Sequence, residues 1–314
     1  MRQIFPDYYK DFQCVGGRCQ HNCCIGWEID IDPDTAAYYT NVSGDLGHRL
    51  QKHISRESTP HFILGEHERC PFLNAQNLCD IILTLGEDHI CQICTDHPRF
   101  RNELPDRLET GLGLCCEEAG RLILGKSSPT VLEADGPLDD EDDFIAIRDQ
   151  VIQQLQDRTH PISCRVASVL KLCDAAPPHA DMGQWACFLL ALERLDKNWT
   201  NILTDLRDNW TELDLIGFDQ YMAGRQTEYE QFLVYLVYRH LANACDDIDL
   251  AARCSFAAFG YELLRHLGAR IWSQTGQFSF EQQVELARLF SSELEYSEEN
   301  MDAILDELVF TTEE

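Results

Sequence analysis

The chain has 314 residues, 25 Lys and Arg against 54 Asp and Glu for a formal net charge of −29, and 15 cysteines. That length buries a substantial core, and no apolar run reaches the roughly 20 residues that cross a bilayer, so the composition argues against a membrane-spanning helix. So acidic a surface repels phosphate backbones and argues against nucleic acid as a partner, while it would draw a lysine-bearing protein.

From the N-terminus, Met1 to Lys10 lack the apolar stretch and small-residue cleavage pattern of a secretory leader. A cytoplasmic setting with free thiols is therefore expected over a disulfide framework. Ten cysteines then fall within the first 116 residues: Cys14, Cys19, Cys23 and Cys24, Cys70 and Cys79, Cys91 and Cys94, Cys115 and Cys116. Thiols at that density are what a chain needs to enclose a thiophilic metal or an iron–sulfur cluster. Only Cys91-Gln-Ile-Cys94 has the C-x₂-C spacing of a zinc knuckle, and the sulfur exceeds the four that one zinc uses, which favours a cluster or two metal sites. The alternating run Trp27 to Asp32 is the best strand candidate. Asn74 to Asn77 reads as a turn between Cys70 and Cys79. His97 is either a ligand or a structural histidine ahead of Pro98, and Arg99 either faces a carboxylate or caps a loop.

Near residue 130 the texture changes. Lys126 to Pro137 reads as a linker, Asp139 to Asp143 as an acidic helix start, and the rest as a helical bundle. Helices are expected at roughly 141–157, 162–174, 183–196, 200–209, 227–245, 248–273, 279–294 and 298–309. Glu230 to His240 is apolar enough to be a central helix, with its tyrosines in the core. Cys164, Cys173, Cys187, Cys245 and Cys254 are expected to be small buried hydrophobes. The expected fold is thus mainly α: an irregular cysteine-rich metal-binding domain over residues 1–130, then an all-α domain over 131–314. The acidity is concentrated in the second part, with a net −9 over residues 1–136 and −20 over 137–314.

Phe12-Gln13-Cys14, Cys19, Cys23-Cys24-Ile25-Gly26-Trp27, Cys70-Pro71-Phe72-Leu73, Leu78-Cys79, Leu85-Gly86-Glu87, Ile90-Cys91-Gln92-Ile93-Cys94, His97-Pro98-Arg99-Phe100 and Glu109 to Leu112 with Cys116 resemble flagellin lysine-N-methylase, the FliB family. The likeness continues at Tyr238-Arg239-His240 and Glu293 to Asn300. The cysteine-rich portion also resembles a wider group of zinc- or iron-chelating domains whose members need not be methylases. The resemblance implies methylation of flagellin lysines, S-adenosylmethionine as donor and a [4Fe–4S] cluster. The matching cysteines are Cys14, Cys19, Cys23, Cys24, Cys70, Cys79, Cys91, Cys94 and Cys116, more than the four thiolates a single cluster takes.

Methyl transfer needs a neutral lysine nitrogen, and with a reference pKa near 10.4 only about one in a thousand is neutral near pH 7.4. A dry, aromatic pocket is therefore expected, with Tyr8, Tyr9, Trp27, Tyr38 and Tyr39 as candidate walls and ordinary packing as their alternative. No G-x-G-x-x-G follows a strand; Gly111-Leu-Gly113-Leu reads as a turn. The C-x₃-C-x₂-C triplet of radical enzymes is missing, because Gly26 stands where the third cysteine would be. Two other readings stay open: a non-catalytic iron- or zinc-chelating interaction module, and a structural zinc protein. Donor-binding residues, catalytic residues and oligomeric state are not legible in the sequence.

Overall fold

The computed structural model describes residues 1–55, 59–136 and 143–310. It divides into two compact units: a smaller one of residues 13–100, and a larger one made of residues 1–12 and 101–314. The acidic stretch Asp139 to Asp143 lies almost wholly outside the described residues.

Strand β1 (Arg2–Pro6) opens the chain. Among the described residues, the smaller unit then carries four short helices: α1 (Pro33–Tyr39), α2 (Gly44–His53), α3 (Asp80–Leu85) and α4 (Gln92–Asp96). Its core is a single apolar cluster that includes Ile29, Ile31, Tyr39, Leu50, Phe62, Phe72, Ile81 and the thiols of Cys70 and Cys91. Trp27 to Asp32 keeps the expected alternation, with Ile29 and Ile31 buried, but it pairs only through the isolated bridge Asp30–His61 and forms no regular strand. Pro60 explains part of this, since it accepts at its carbonyl from Ile31 but has no N–H to extend a ladder.

Beyond the smaller unit come β2 (Arg99–Glu103), β3 (Arg107–Leu112), α5 (Glu117–Leu124) and β4 (Leu132–Ala134). The strands form one sheet in the order β2-β3-β1-β4, with β1 parallel to β3 (Ile4 opposite Glu109) and antiparallel to β4 (Ile4 opposite Ala134). The stretch expected as a linker carries a strand as well as loop over residues 126–136. Backbone pairing through β1 binds residues 2–6, 107–109 and 132–134 together, so the larger unit includes residue 130. The second part of the chain is for the same reason not purely helical.

Among the described residues, nine helices complete the larger unit: α6 (Asp143–Leu155), α7 (Ile162–Leu172), α8 (Met182–Leu189), α9 (Lys197–Asn209), α10 (Leu215–Tyr221), α11 (Gln226–His240), α12 (Asp247–Thr275), α13 (Phe280–Phe290) and α14 (Glu298–Phe310). Eight lie where the apolar periodicity puts them; α10 is an addition, too short for a period to show. α11 and α12 are buried on nearly all sides and form the centre. Their ends obey local rules. Asp246 accepts from the Asp249 amide to start α12, Gly276 stops it at φ +71°, and Ser279 with Gln282 forms a capping box for α13. Among the described residues, no helix is long and apolar enough to cross a membrane.

A buried ion triad fixes α11 to its neighbours. Glu230, fully buried, accepts from Arg165 (2.7 Å) and from Arg158 (2.7–3.2 Å). Glu230→Gln keeps the shape but leaves the buried Arg165 uncompensated, so it should cost about 3–5 kcal/mol. Urea melts measure this; a loss below roughly 1 kcal/mol would show that the triad is not a structural clamp.

In the smaller unit His97 packs with its ring centroid 6.3 Å from that of Trp27, and burial, helped by the Arg99 charge, brings its pKa down to about 4. A folded value below the unfolded one, near 6.5, means that the neutral ring supports the fold fully above about pH 6.5. That support, on the order of 3 kcal/mol, is lost as pH falls from there toward 4. His97→Gln should flatten this part of the stability–pH curve, and a wild-type slope that survives in the variant would refute the assignment.

Candidate metal centre

Three stretches of the smaller unit deliver its central thiols, each by a short backbone device. In the first, Asn22 accepts the Cys24 amide at its side chain (2.9 Å), and Gly26 at φ +95° turns the chain out of the site, a conformation that side chains disfavour. The second stretch is tied to the first by Cys70 N–H donating to Cys24 C=O (2.8 Å) and Gly26 N–H to Glu68 C=O (3.1 Å). From Cys70 the chain reverses at Asn74, whose side chain accepts from the amides of Gln76 (2.9 Å) and Leu78 (3.0 Å), and returns at Cys79, just before α3. Arg69 clamps that turn through Asn74 C=O (2.6 Å) and Asn77 Oδ1 (2.8 Å). The third stretch is the Cys91–Cys94 knuckle, closed by Cys94 N–H to Cys91 C=O (3.0 Å). Asp32 positions it from 60 residues away, accepting from the Gln92 amide (2.8 Å) and from the Thr35 amide at the start of α1 (2.9 Å).

The result is a common thiol core. Cys70 and Cys91 are buried in the apolar cluster, with Cys24, Cys79 and Cys94 packed against it, and Cys23 hydrogen-bonds Cys24. The thiols perturb one another. A hydrogen bond from Cys94, assisted by one from Tyr39, lowers Cys91, while the same contact and burial raise Cys94. Cys23 and Cys24 divide in the same way, Cys23 lowered and Cys24 raised. Burial pushes Cys70 up to about 11 and also raises Cys79. The charges acting on these groups come from other cysteines, Asp80 and Asp32, and all of them oppose ionisation. Arg49 offsets the Asp80 charge from 2.7 Å. A donor set of this kind suits a positively charged guest, since a bound metal deprotonates its thiols and neutralises them.

Spacing bears on the kind of guest. One tetrahedral zinc with Zn–S near 2.3 Å brings its sulfurs within about 3.8 Å of one another. Among the described residues, no three thiols lie within 4.8 Å of each other; the one trio of potential ligands that does is Glu28, Asp30 and His61. An iron–sulfur cube carries each thiolate on a different iron and so spaces them more widely than a single ion does.

Eight of the nine cysteines singled out by sequence fall in the smaller unit; five of those belong to or pack against the core, and Cys23 hydrogen-bonds one of the five. Cys14 and Cys19 flank a 3-10 turn at Gly16–Arg18 outside the apolar cluster, Cys14 accepting from the Gly16 amide (3.4 Å). Cys116 belongs to the larger unit, at the start of α5, beside Cys115, which burial pushes up to about 12. Arg99 donates to Thr95 C=O (3.1 Å) at the end of α4, a loop-capping role. The five aromatic candidates are not gathered within one unit: Tyr8 and Tyr9 belong to the larger, Trp27, Tyr38 and Tyr39 to the smaller. Tyr39 donates to His89 C=O (2.9 Å), and Tyr38 stacks on the His89 ring. Of the remaining cysteines, Cys173 and Cys254 are buried as expected, but Cys164, Cys187 and Cys245 are exposed, so burial is corrected for those three.

The larger unit holds a polar cluster that periodicity did not reveal. α13 runs into a π-helical turn, Ser291–Glu295, which brings the fully buried Glu295 carboxylate against Tyr235 O–H (3.0 and 3.1 Å) and His240 Nε2 (2.7 Å), with Arg239 at 3.5 Å. Burial works against the Glu295 charge, yet Arg239 and His240 hold its carboxyl below the usual range. Glu293 accepts from the amides of Leu195 (3.0 Å) and Asp196 (2.8 Å), and Asn300 donates to the carbonyls of Glu293 (2.7 Å) and Glu193 (3.0 Å). The motifs at 238–240 and 293–300 thus meet around one carboxylate.

Residues 184–313 match the family model of the FliB lysine N-methylase C-terminal domain. The chain is similar to the lysine-N-methylases of Salmonella choleraesuis and Salmonella typhimurium, each 30% identical over 129 residues, covering 38% of this chain and 31% of the relative. It is 27% identical over 128 residues to the flagellar biosynthetic protein FliU of Salmonella muenchen, covering 38% of this chain and 75% of that one. The match thus spans about a third of the length of those lysine-N-methylases. No solved structure matches. The family match thus lies in the helical part of the chain, residues 184–313, and covers less than half of its length.

Proposed function

We propose that the protein is a protein-lysine N-methyltransferase acting on flagellin, with S-adenosylmethionine as donor and a [4Fe–4S] cluster held by the smaller unit. The observation that carries the activity is the match of residues 184–313 to the FliB lysine N-methylase C-terminal domain. Support for the cluster is separate: Cys24, Cys70, Cys79, Cys91 and Cys94 meet at one core with Cys23 beside them, and among the described residues no three thiols lie mutually within 4.8 Å, whereas one zinc would draw them closer than that. Cys24, Cys70, Cys79, Cys91 and Cys94, with Cys23 beside them, are the residues from which its ligands come. When bound, the cluster supplies a cross-link among thiolates far apart in sequence and a one-electron redox centre. In the transfer itself the lysine nitrogen attacks the methyl carbon as the carbon–sulfur bond breaks, leaving S-adenosylhomocysteine. The nitrogen must first lose a proton, so alignment and deprotonation are the catalytic demands.

Purified without oxygen, the protein should be brown and contain iron with acid-labile sulfide. Cys70→Ser or Cys94→Ser should lower both, while Cys173→Ser in the helical unit leaves them unchanged. Stoichiometric zinc without sulfide would instead make it a zinc protein. Mass spectrometry of flagellin incubated with the protein and donor should show additions of methyl groups on lysine. An intact cluster with no donor binding and unmodified flagellin would replace the enzyme by a metal-chelating interaction module.

A further inference from the structure

We propose that Glu28, Asp30 and His61 form a second metal site, for a divalent first-row cation, on the outer face of the smaller unit and chemically distinct from the thiol core. The backbone builds it. Asp30 and His61 stand opposite each other in an antiparallel bridge, flanked by Ile31 N–H to Pro60 C=O (2.8 Å) and Phe62 N–H to Ile29 C=O (3.0 Å). Extended backbone alternates faces, so with Ile29, Ile31 and Phe62 buried in the core, Glu28, Asp30 and His61 are thrown together on the opposite side. Their ligand atoms all lie within 4.8 Å of one another.

The imidazole sets this trio apart from a patch of surface carboxylates. His61 Nδ1 lies 2.9 Å from Thr59 C=O, and because a carbonyl only accepts, Nδ1 carries the proton. Nε2 then faces Glu28, 3.7 Å away, which is the aim of a metal-bound histidine oriented by a backbone carbonyl. Asp30 makes no side-chain hydrogen bond or ion pair among the described residues, and Glu28 has His61 alone. Ligand atoms on one ion stand about 3 Å apart, a gap that the flexible Glu28 side chain, 65% exposed, closes by changing rotamer. One nitrogen and two carboxylates suit Mn²⁺, Fe²⁺ or Zn²⁺, with water filling the open positions, whereas the thiols of the same unit select softer guests. A cation here staples residues 28–30 to residue 61, the two stretches that place Ile29, Ile31 and Phe62 in the core.

Mn²⁺ separates the two sites because thiolates compete poorly for it. Titrated into the full-length protein at physiological salt, which screens loose association with the acidic surface, Mn²⁺ should lose its free-ion electron paramagnetic resonance signal at one equivalent per chain and raise the melting temperature. His61→Gln and the double variant Glu28→Gln/Asp30→Asn should weaken binding at least about tenfold and abolish the thermal shift, while melting as the wild type does without metal; losing only a hydrogen bond that orients a ligand already costs about that much. A wild type that leaves Mn²⁺ free, or variants that bind it as well as the wild type, would overturn the site. The cluster and methyl transfer do not enter this test, so its outcome is independent of the proposed activity.

Discussion

Burial of several thiols at one apolar core is the constraint on which the smaller unit turns. Cys24, Cys70, Cys79, Cys91 and Cys94 sit in or against that core, with Cys23 hydrogen-bonded to Cys24, and burial opposes the ionisation of each. Hydrogen bonds within the pairs Cys23–Cys24 and Cys91–Cys94 set one thiol low and one high in each. The hydrogen-bonded turns described above are the means by which segments 20 to 70 residues apart are held to this single point. Apart from them the unit has little among the described residues: four helices of 5 to 10 residues each and a core of about a dozen side chains.

The larger unit solves the opposite problem, with both signs of charge present in its interior. Glu230 meets two arginines, Glu109 meets Arg148 at 2.5 Å, and Glu295 meets His240 and Arg239. Buried ions are tolerable only when paired, so these contacts specify how α11 sits against α7 and the π-helical turn, and how α6 sits against β3, more sharply than apolar packing could. Several of the chain's aspartates are also committed locally: Asp181, Asp196, Asp214 and Asp246 each accept a backbone amide at a helix start. Part of the acidity is thus structural, independent of any partner.

What could be read from the sequence follows from where information is local. Helical periodicity locates eight of the nine described helices that follow β4, because a 3.6-residue repeat over several turns is a local signal. The cysteine spacing likewise picks out Cys24, Cys70, Cys79, Cys91 and Cys94, which the fold gathers. It also picks out Cys14, Cys19 and Cys116, which stand apart from that core or in the other unit, since spacing along a chain carries no direction. Hidden from it were the pairing of β1 with β3 and β4, separated by more than 100 residues, and the trio Glu28, Asp30 and His61, assembled by a bridge across 31 residues. The exposed Cys164, Cys187 and Cys245 show the same limit in reverse: an apolar neighbourhood in sequence does not say which way one helical side chain faces.

The sheet order also dictates a timetable. Because β1 is completed only when β3 and β4 arrive, the first strand of the chain must wait for residue 134 to be synthesised, while every residue of the smaller unit has emerged by residue 100. At about 5–20 residues per second that leaves roughly 2–7 s in which residues 13–100 exist as a finished stretch of chain beside an unfinished sheet. On the nascent chain, the thiols therefore come together, or fail to, before the strands on either side have closed.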